Sequence, residues 1–277
     1  MEGKMNYSVL MSVYAREKPK YLQEAIESVL HQTLAPSEFI IIKDGPLTKE
    51  LNRVLESYTA SYPELVKVIS LRENMGLGEA LRIGVKHCKY EVIGRMDSDD
   101  ICHQDRFKKQ ISYLMEHPDV DVIGSWIQEF DENGDQSTYI RKVPSSADRI
   151  KIYSKKRNPL NHMTVVFRKQ SILRVGSYQS FLWNEDYYLW VRLLNRGFKL
   201  ENLEEVLVFA RAGETMFQRR GGIKYVLNEV KLQREFYNMK FISNSEFITN
   251  VVTRTLVRVV PNALRSFIYR KFLRTAG

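Results

Sequence analysis

The chain has 277 residues and a mass of 32.5 kDa; it is 44% hydrophobic and 27% charged, with a formal net charge of +9. That length fits one large α/β domain, or a domain of about 200 residues with an appendage, and the apolar content excludes wholesale disorder. No apolar run approaches the ~18–20 residues that a membrane-spanning helix needs.

Cys88 and Cys102 cannot make a disulfide framework and sit in no metal-ligand spacing. The short apolar stretch Val9–Val13, flanked by Glu2, Lys4, Arg16 and Glu17, does not have the form of a signal peptide. A reduced, cytoplasmic setting is therefore expected. The charge is unevenly placed. Residues 1–215 hold 30 basic and 30 acidic side chains, whereas residues 216–277 hold 12 basic side chains against Glu229, Glu235 and Glu246. A nucleic-acid binder spreads basic surface over its recognition domain; this chain has a neutral body and a basic tail.

In chain order, Tyr7–Val13 has the form of a short buried strand, and Leu22, Ala25, Ile26, Val29 and Leu30 mark one face of a helix. Glu38–Lys43 predicts a second strand, ended by the turn Asp44-Gly45-Pro46. A helix over Leu51–Tyr58, a strand over Val66–Leu71 and a helix over Glu79–His87 follow. Glu91–Met96 is a fourth strand running into Asp97-Ser98-Asp99-Asp100, and Gln104–Glu116 a fourth helix. Repeated βα units with near-continuous apolar strands predict an α/β fold: a mostly parallel central sheet with helices on both faces. After Val120 the pattern becomes α+β. A hairpin is expected over Val120–Phe130 and Thr138–Val143 around Asn133-Gly134, then a strand at Thr164–Arg168, a helix at Glu185–Leu194 and a strand at Val206–Ala210. The expected division is a body, 1–215, whose first half (1–118) binds a nucleotide and whose second (119–215) completes the pocket, and a basic helical tail, 216–277.

In an open parallel sheet, ligands bind beyond the carboxyl ends of the strands. Ser12 and Tyr14, Asp44, Arg72 and Asn74, and Asp97 and Asp99 occupy those positions. Three carboxylates in four positions repel one another, and a hard divalent cation such as Mg²⁺ or Mn²⁺ relieves that repulsion. An N-capping cluster or a solvated acidic turn is the structural alternative for the tripeptide alone.

Several segments in order resemble the family 2 glycosyltransferases, enzymes of GT-A fold that use nucleotide-activated sugars. These are Ser8–Tyr14, Glu24–Thr33, Ile40–Pro46, Asn74–Gly78, Arg95–Asp100, Asn158–His162 and Glu185–Trp190, and the resemblance covers about residues 6–211. It implies that Ser12, Tyr14 and Asp44 hold the nucleoside, that Asp97 and Asp99 form the pair at ribose and metal, and that Asp186 is the general base. Asn161-His162 resembles the segment lining the acceptor side, so His162 is expected to bind substrate, as is Glu185 beside the base. The turn here has Lys43 where the family often has a second acid, which leaves Asp44 alone to recognise the base. Lys43 either faces a phosphate or is a solvated strand-end lysine. The donor is expected to be a nucleotide-diphosphate sugar, with UDP favoured, and the reaction an inverting displacement with Asp186 removing the acceptor's proton.

Arg219 and Arg220, before Gly221-Gly222, either close over a diphosphate or belong to the tail. Trp183 either stacks on a sugar or packs in the core. In the tail, Phe247, Ile248, Val251, Val252, Leu256, Val259 and Val260 form an apolar face, and Pro261-Asn262 separates it from a second amphipathic stretch. Six basic residues and no acid from Phe247 onward suit an interfacial helix on an anionic membrane, at its cytoplasmic face; packing on the body or a homo-oligomer contact is the alternative. The acceptor is expected to be a glycan, lipid-linked, with no nucleic acid involved. Two rivals are a sugar-phosphate nucleotidyltransferase, which would want a Gly-rich loop where Tyr14-Ala15-Arg16-Glu17-Lys18-Pro19 stands, and a non-catalytic membrane or nucleic-acid scaffold, which leaves Asp97, Asp99 and Asp186 without a task.

Overall fold

A computed structural model describes residues 5–130, 136–211 and 223–259. Strands β1 (Ser8–Val13), β2 (Glu38–Lys43), β3 (Val66–Ser70) and β4 (Val92–Met96) pair in parallel in the order β3-β2-β1-β4. Side chains alternate across this sheet. Leu10, Ile40, Ile42 and Ile93 face one core with Ala80, Leu81 and Val85 of helix α3 (Leu77–His87). Val9, Met11, Phe39 and Ile41 face the other, under helices α1 (Pro19–Leu30), α2 (Lys49–Ser61) and α4 (Arg106–Glu116). Pro19 opens α1, where its preset φ suits the first helical turn.

Beyond β4 the sheet continues through β8 (Val166–Arg168), β6 (Val122–Phe130), β9 (Leu200–Arg211) and the two-residue β5 (Ile101–Cys102). β8 runs antiparallel to both β4 and β6, so β6 and its parallel neighbour β9 point the same way as β1–β4. The long strands of the central path are thus parallel, and the short β8 and β5 are reversed. β7 (Gln136–Arg141) pairs antiparallel with β6 as the expected hairpin; its turn at 131–135 lies outside the described residues. Helices α5 (Ala147–Ser154), α6 (Lys169–Arg174) and α7 (Glu185–Asn195) and a 3₁₀ turn, His162–Thr164, complete this half. Trp190 of α7 is fully buried.

Helices α8 (Ile223–Asn238) and α9 (Asn244–Val259) form a helical pair. Leu232 and Phe236 of α8, and Phe241 and Ile242 after it, belong to the same core as Trp190 and Tyr187. The expected apolar face of the tail is divided. Phe247 packs against that core, whereas Ile248 and Val252 are 59% and 50% exposed. Arg254 turns inward to pair with the buried Glu229 and donates to the Lys156 carbonyl. No helix among the described residues is long and apolar enough to cross a membrane. The amphipathic stretch beyond Pro261 lies outside the described residues.

Candidate active site

The carboxyl ends of β1, β2 and β4 lie side by side, and the residues just past them build the first wall. Ser12 is half-buried and Tyr14 is 38% exposed at the rim. Asp44 is buried, and its two carboxylate oxygens accept the main-chain N–H groups of Met75 (2.7 Å) and Gly76 (3.1 Å). Besides any contact with a nucleobase, it pins the Asn74–Gly76 loop to the end of β2. Gly45, with φ +85°, permits this closeness, since a Cβ there would lie 2.6 Å from the Asn74 nitrogen. Lys43 donates to Asn52 Oδ1 on α2 at 2.6 Å, the side chain engaged by a neighbouring helix. Arg72 is exposed.

The turn after β4 brings one carboxylate oxygen each from Asp97, Asp99 and Asp100 within 4.8 Å of one another. Burial raises the pKa of Asp99, and the charges of Asp97 and Glu17 push it the same way; burial followed by Asp99 and Asp97 raises that of Asp100. Such mutual repulsion among hard oxygen ligands suits a divalent cation. Asp97 is gripped by Arg95, whose Nη1 donates to Oδ2 at 2.7 Å while Nη2 meets the other oxygen. The Arg95 side chain is 2% exposed, its carbonyl accepts from Arg106 at 2.6 Å, and its Nε has no hydrogen-bond partner.

The opposite wall comes from the α+β half. Asp186, in the first turn of α7, accepts from Asn158 Nδ2 at 2.6 Å. Its pKa is raised by burial, against the Asn158 hydrogen bond and the charge of Arg95. Glu185 is pushed up to about 7, by burial first and the Asp186 charge second. Gly78 of α3 packs against this turn: a Cβ there would lie 3.2 Å from that of Glu185. His162 Nε2 lies 3.0 Å from the Tyr178 hydroxyl, and its ring packs edge-on to Trp190. Burial and the Arg95 charge hold it well below the usual imidazole range, so it is neutral.

Arg95 thus carries a charge felt by Asp97 on one wall and by His162, Glu185 and Asp186 on the other. The sequence places Arg95 and Asn158 inside two of the family-like segments without marking a role for either, and Tyr178 lies in none of them. The available signal was a lone arginine in an otherwise apolar strand, one residue from the acidic turn. Trp183 is not in the core: it is 45% exposed, has φ +63° and stacks on Tyr225 at 4.9 Å. Arg219 and Arg220 lie outside the described residues.

A nucleotide-type sheet edge, an acidic turn able to hold a cation, and buried carboxylates on the facing half give the layout of a glycosyltransferase of GT-A architecture. Residues 8–181 match the glycosyl transferase family 2 pattern, and the chain belongs to that family. It is 41% identical, over 97% of its length and 96% of the relative's, to UDP-Gal:alpha-D-GlcNAc-diphosphoundecaprenol beta-1,3-galactosyltransferase of Escherichia coli. It is 38% identical, over 96% of its length and 98% of the relative's, to the amylovoran biosynthesis glycosyltransferase AmsE of Erwinia amylovora. Among solved structures, residues 1–349 of S. aureus TarS in complex with UDP share the fold at a TM-score of 0.61 and 18% identity, over 97% of this chain and 71% of that one. The chain spans 46% of the longer TarS chain.

Proposed function

We propose that the protein is an inverting glycosyltransferase that moves a sugar from a UDP-sugar to a hydroxyl of a lipid-linked glycan during surface-polysaccharide assembly. The observation that carries this reading is the pairing of two walls around one buried arginine: the Asp97–Asp99–Asp100 turn on one side of Arg95, and Asp186, held by Asn158, on the other. The relatives support the donor and acceptor classes, since one is named for transfer from UDP-Gal to a diphosphoundecaprenol-linked sugar and another for amylovoran biosynthesis.

The donor wall binds and orients. Ser12, Tyr14 and the loop pinned by Asp44 take the nucleoside, with Arg72 available to the diphosphate; Arg219 and Arg220, expected to join it, lie outside the described residues. Asp97 and Asp99, with Asp100 beside them, would hold Mn²⁺ or Mg²⁺, which supplies charge neutralisation on the departing diphosphate. Asp186 accepts the proton of the attacking hydroxyl. A positioned general base is worth roughly 10²–10⁴ in rate. Asn158 orients the Asp186 carboxylate for that task, and burial raises its basicity. A single base opposite the leaving group gives in-line displacement with inversion at C1; no second carboxylate nucleophile is needed. His162, neutral and anchored to Tyr178, lines the acceptor side beside Glu185. Peripheral attachment to an anionic membrane through α9 and the basic residues beyond it would bring the enzyme to a lipid-linked acceptor.

The test is Asp186→Asn. With UDP-sugars and a polyprenyl-diphosphate sugar acceptor, turnover should fall at least ~10²-fold while UDP-sugar binding, read by calorimetry, stays within about twofold. Unchanged turnover would remove Asp186 from the base role.

A further inference from the structure

Arg211 ends β9 on the same edge at which β4 delivers the acidic turn, because the two strands point the same way. Its contacts converge on that turn from behind. Its main-chain N–H donates to Asp100 Oδ1 at 2.8 Å, its Nε to the Asp99 carbonyl at 3.0 Å, and its Nη2 to Glu24 Oε2 on α1 at 2.6 Å. The guanidinium lies 3.7 Å from the centroid of the Tyr21 ring and 4.5 Å from that of Phe130, and the side chain is only 7% exposed. An arginine fixed by a planar fork and two ring faces retains little rotamer freedom.

This placement has a specific electrostatic and geometric effect. Three carboxylates within 4.8 Å drive the turn apart. Arg95 offsets one of them from the base side, bonding Asp97 at its carboxylate. Arg211 approaches from the end of β9 and bonds the Asp99 main-chain carbonyl, so it fixes the backbone there without itself occupying the Asp99 carboxylate. The same residue caps one oxygen of Asp100 and leaves the other.

We propose that Arg211, oriented by Glu24, is a positioning residue that holds Asp99 and Asp100 in the arrangement a divalent cation requires. The assignment rests on the metal-dependent reading given above. Outer partners of this kind typically contribute about 10–100-fold to metal affinity.

The experiment titrates Mn²⁺ into the full chain saturated with UDP, by calorimetry, for the wild type, Arg211→Ala, Arg211→Lys and Glu24→Ala. Melting temperatures are recorded without metal. Arg211→Ala should weaken Mn²⁺ binding about 10–100-fold, Arg211→Lys should recover part of the loss, and Glu24→Ala should show a smaller loss in the same direction. Asp186→Asn, on the other wall, should bind Mn²⁺ as the wild type does. A soluble Arg211→Ala protein with wild-type Mn²⁺ affinity overturns the assignment, whatever its melting temperature. Should that variant fail to fold, Glu24→Ala decides: unchanged Mn²⁺ affinity there overturns it equally. A wild-type protein that binds UDP but no Mn²⁺ brings down the metal-dependent reading together with this one, whereas binding by the wild type and Arg211→Ala alike brings down this one alone.

Discussion

Glu185 is held against its own charge. Its carboxyl sits near pKa 7 in the folded chain, raised by burial and by Asp186, and near 4.3 in an unfolded one. Between those values the folded state binds more protons than the unfolded state, so stability falls as pH rises. The contribution of a protonated Glu185 is complete below the unfolded pKa and lost as pH passes the folded one. Replacing the acid by its neutral isostere removes that penalty. Glu185→Gln should raise the melting temperature at pH 8 by several degrees, on the order of 2 kcal/mol, and the gain should vanish by about pH 4.5. A gain that is constant with pH would show that burial of the charge is not its source. That a strained acid stands here at all agrees with a site in which stability is exchanged for chemistry. The acids themselves were legible in the sequence because they fall in a row of motifs. Arg95 and Asn158 were less so: each works through a partner distant in sequence or across a wall, and nothing local marks Asn158 as the partner of Asp186, 28 positions later.

The βα elements were legible because their apolar spacing states both the period and the buried face. β2 and its neighbours alternate between two cores, and α1 shows its inward stripe directly. Elements that lack such a stripe were not found. α5 buries only Ile150 and Ser154, β5 has two residues, and α6 has six. β9 is longer than its apolar run suggests because register shifts opposite Ser125–Ile127 interrupt its alternation near Glu204 and Glu205. The turn between β2 and α2 offers a test of how element ends build the donor wall. Gly45→Ala places a Cβ against the Asn74 backbone at positive φ, so it should destabilise by about 1–3 kcal/mol. It should also displace the Met75–Gly76 amides from Asp44, weakening UDP binding more than Mn²⁺ binding to the UDP-saturated protein. Normal UDP affinity would show that the Asn74–Gly76 loop takes no part in holding the nucleoside.

For the molecule as a whole, the C-terminal helices have an inner and an outer face, and the membrane attachment proposed above would use the outer one. The inner face is part of the core through Leu232, Phe236 and the Arg254–Glu229 pair. Arg254→Ala removes the guanidinium that pairs with the buried Glu229 and donates to the Lys156 carbonyl, so it should lower stability by ~3 kcal/mol, read by denaturant unfolding. Truncation before α9 would therefore confound unfolding with loss of membrane contact. The outer face is the informative one. An Ile248→Ser/Val252→Ser double variant removes exposed apolar surface without touching the core. It should keep its melting temperature within about 2 °C and lose most of its retention on anionic phosphatidylglycerol vesicles. Equal retention would place membrane contact elsewhere on the molecule.

The reversal of β8 beside β4 has an evolutionary corollary. Donor-side groups follow the strands that carry them, while the His162 turn precedes its strand, and both arrive at one edge because β8 runs backwards. Insertions in the approach to β8 therefore lengthen the acceptor wall without shifting any strand under the nucleotide. On the reading proposed above, residues 142–161 bear on the acceptor and the ends of β1, β2 and β4 on the nucleotide, with Asn158 fixed in place because it holds Asp186.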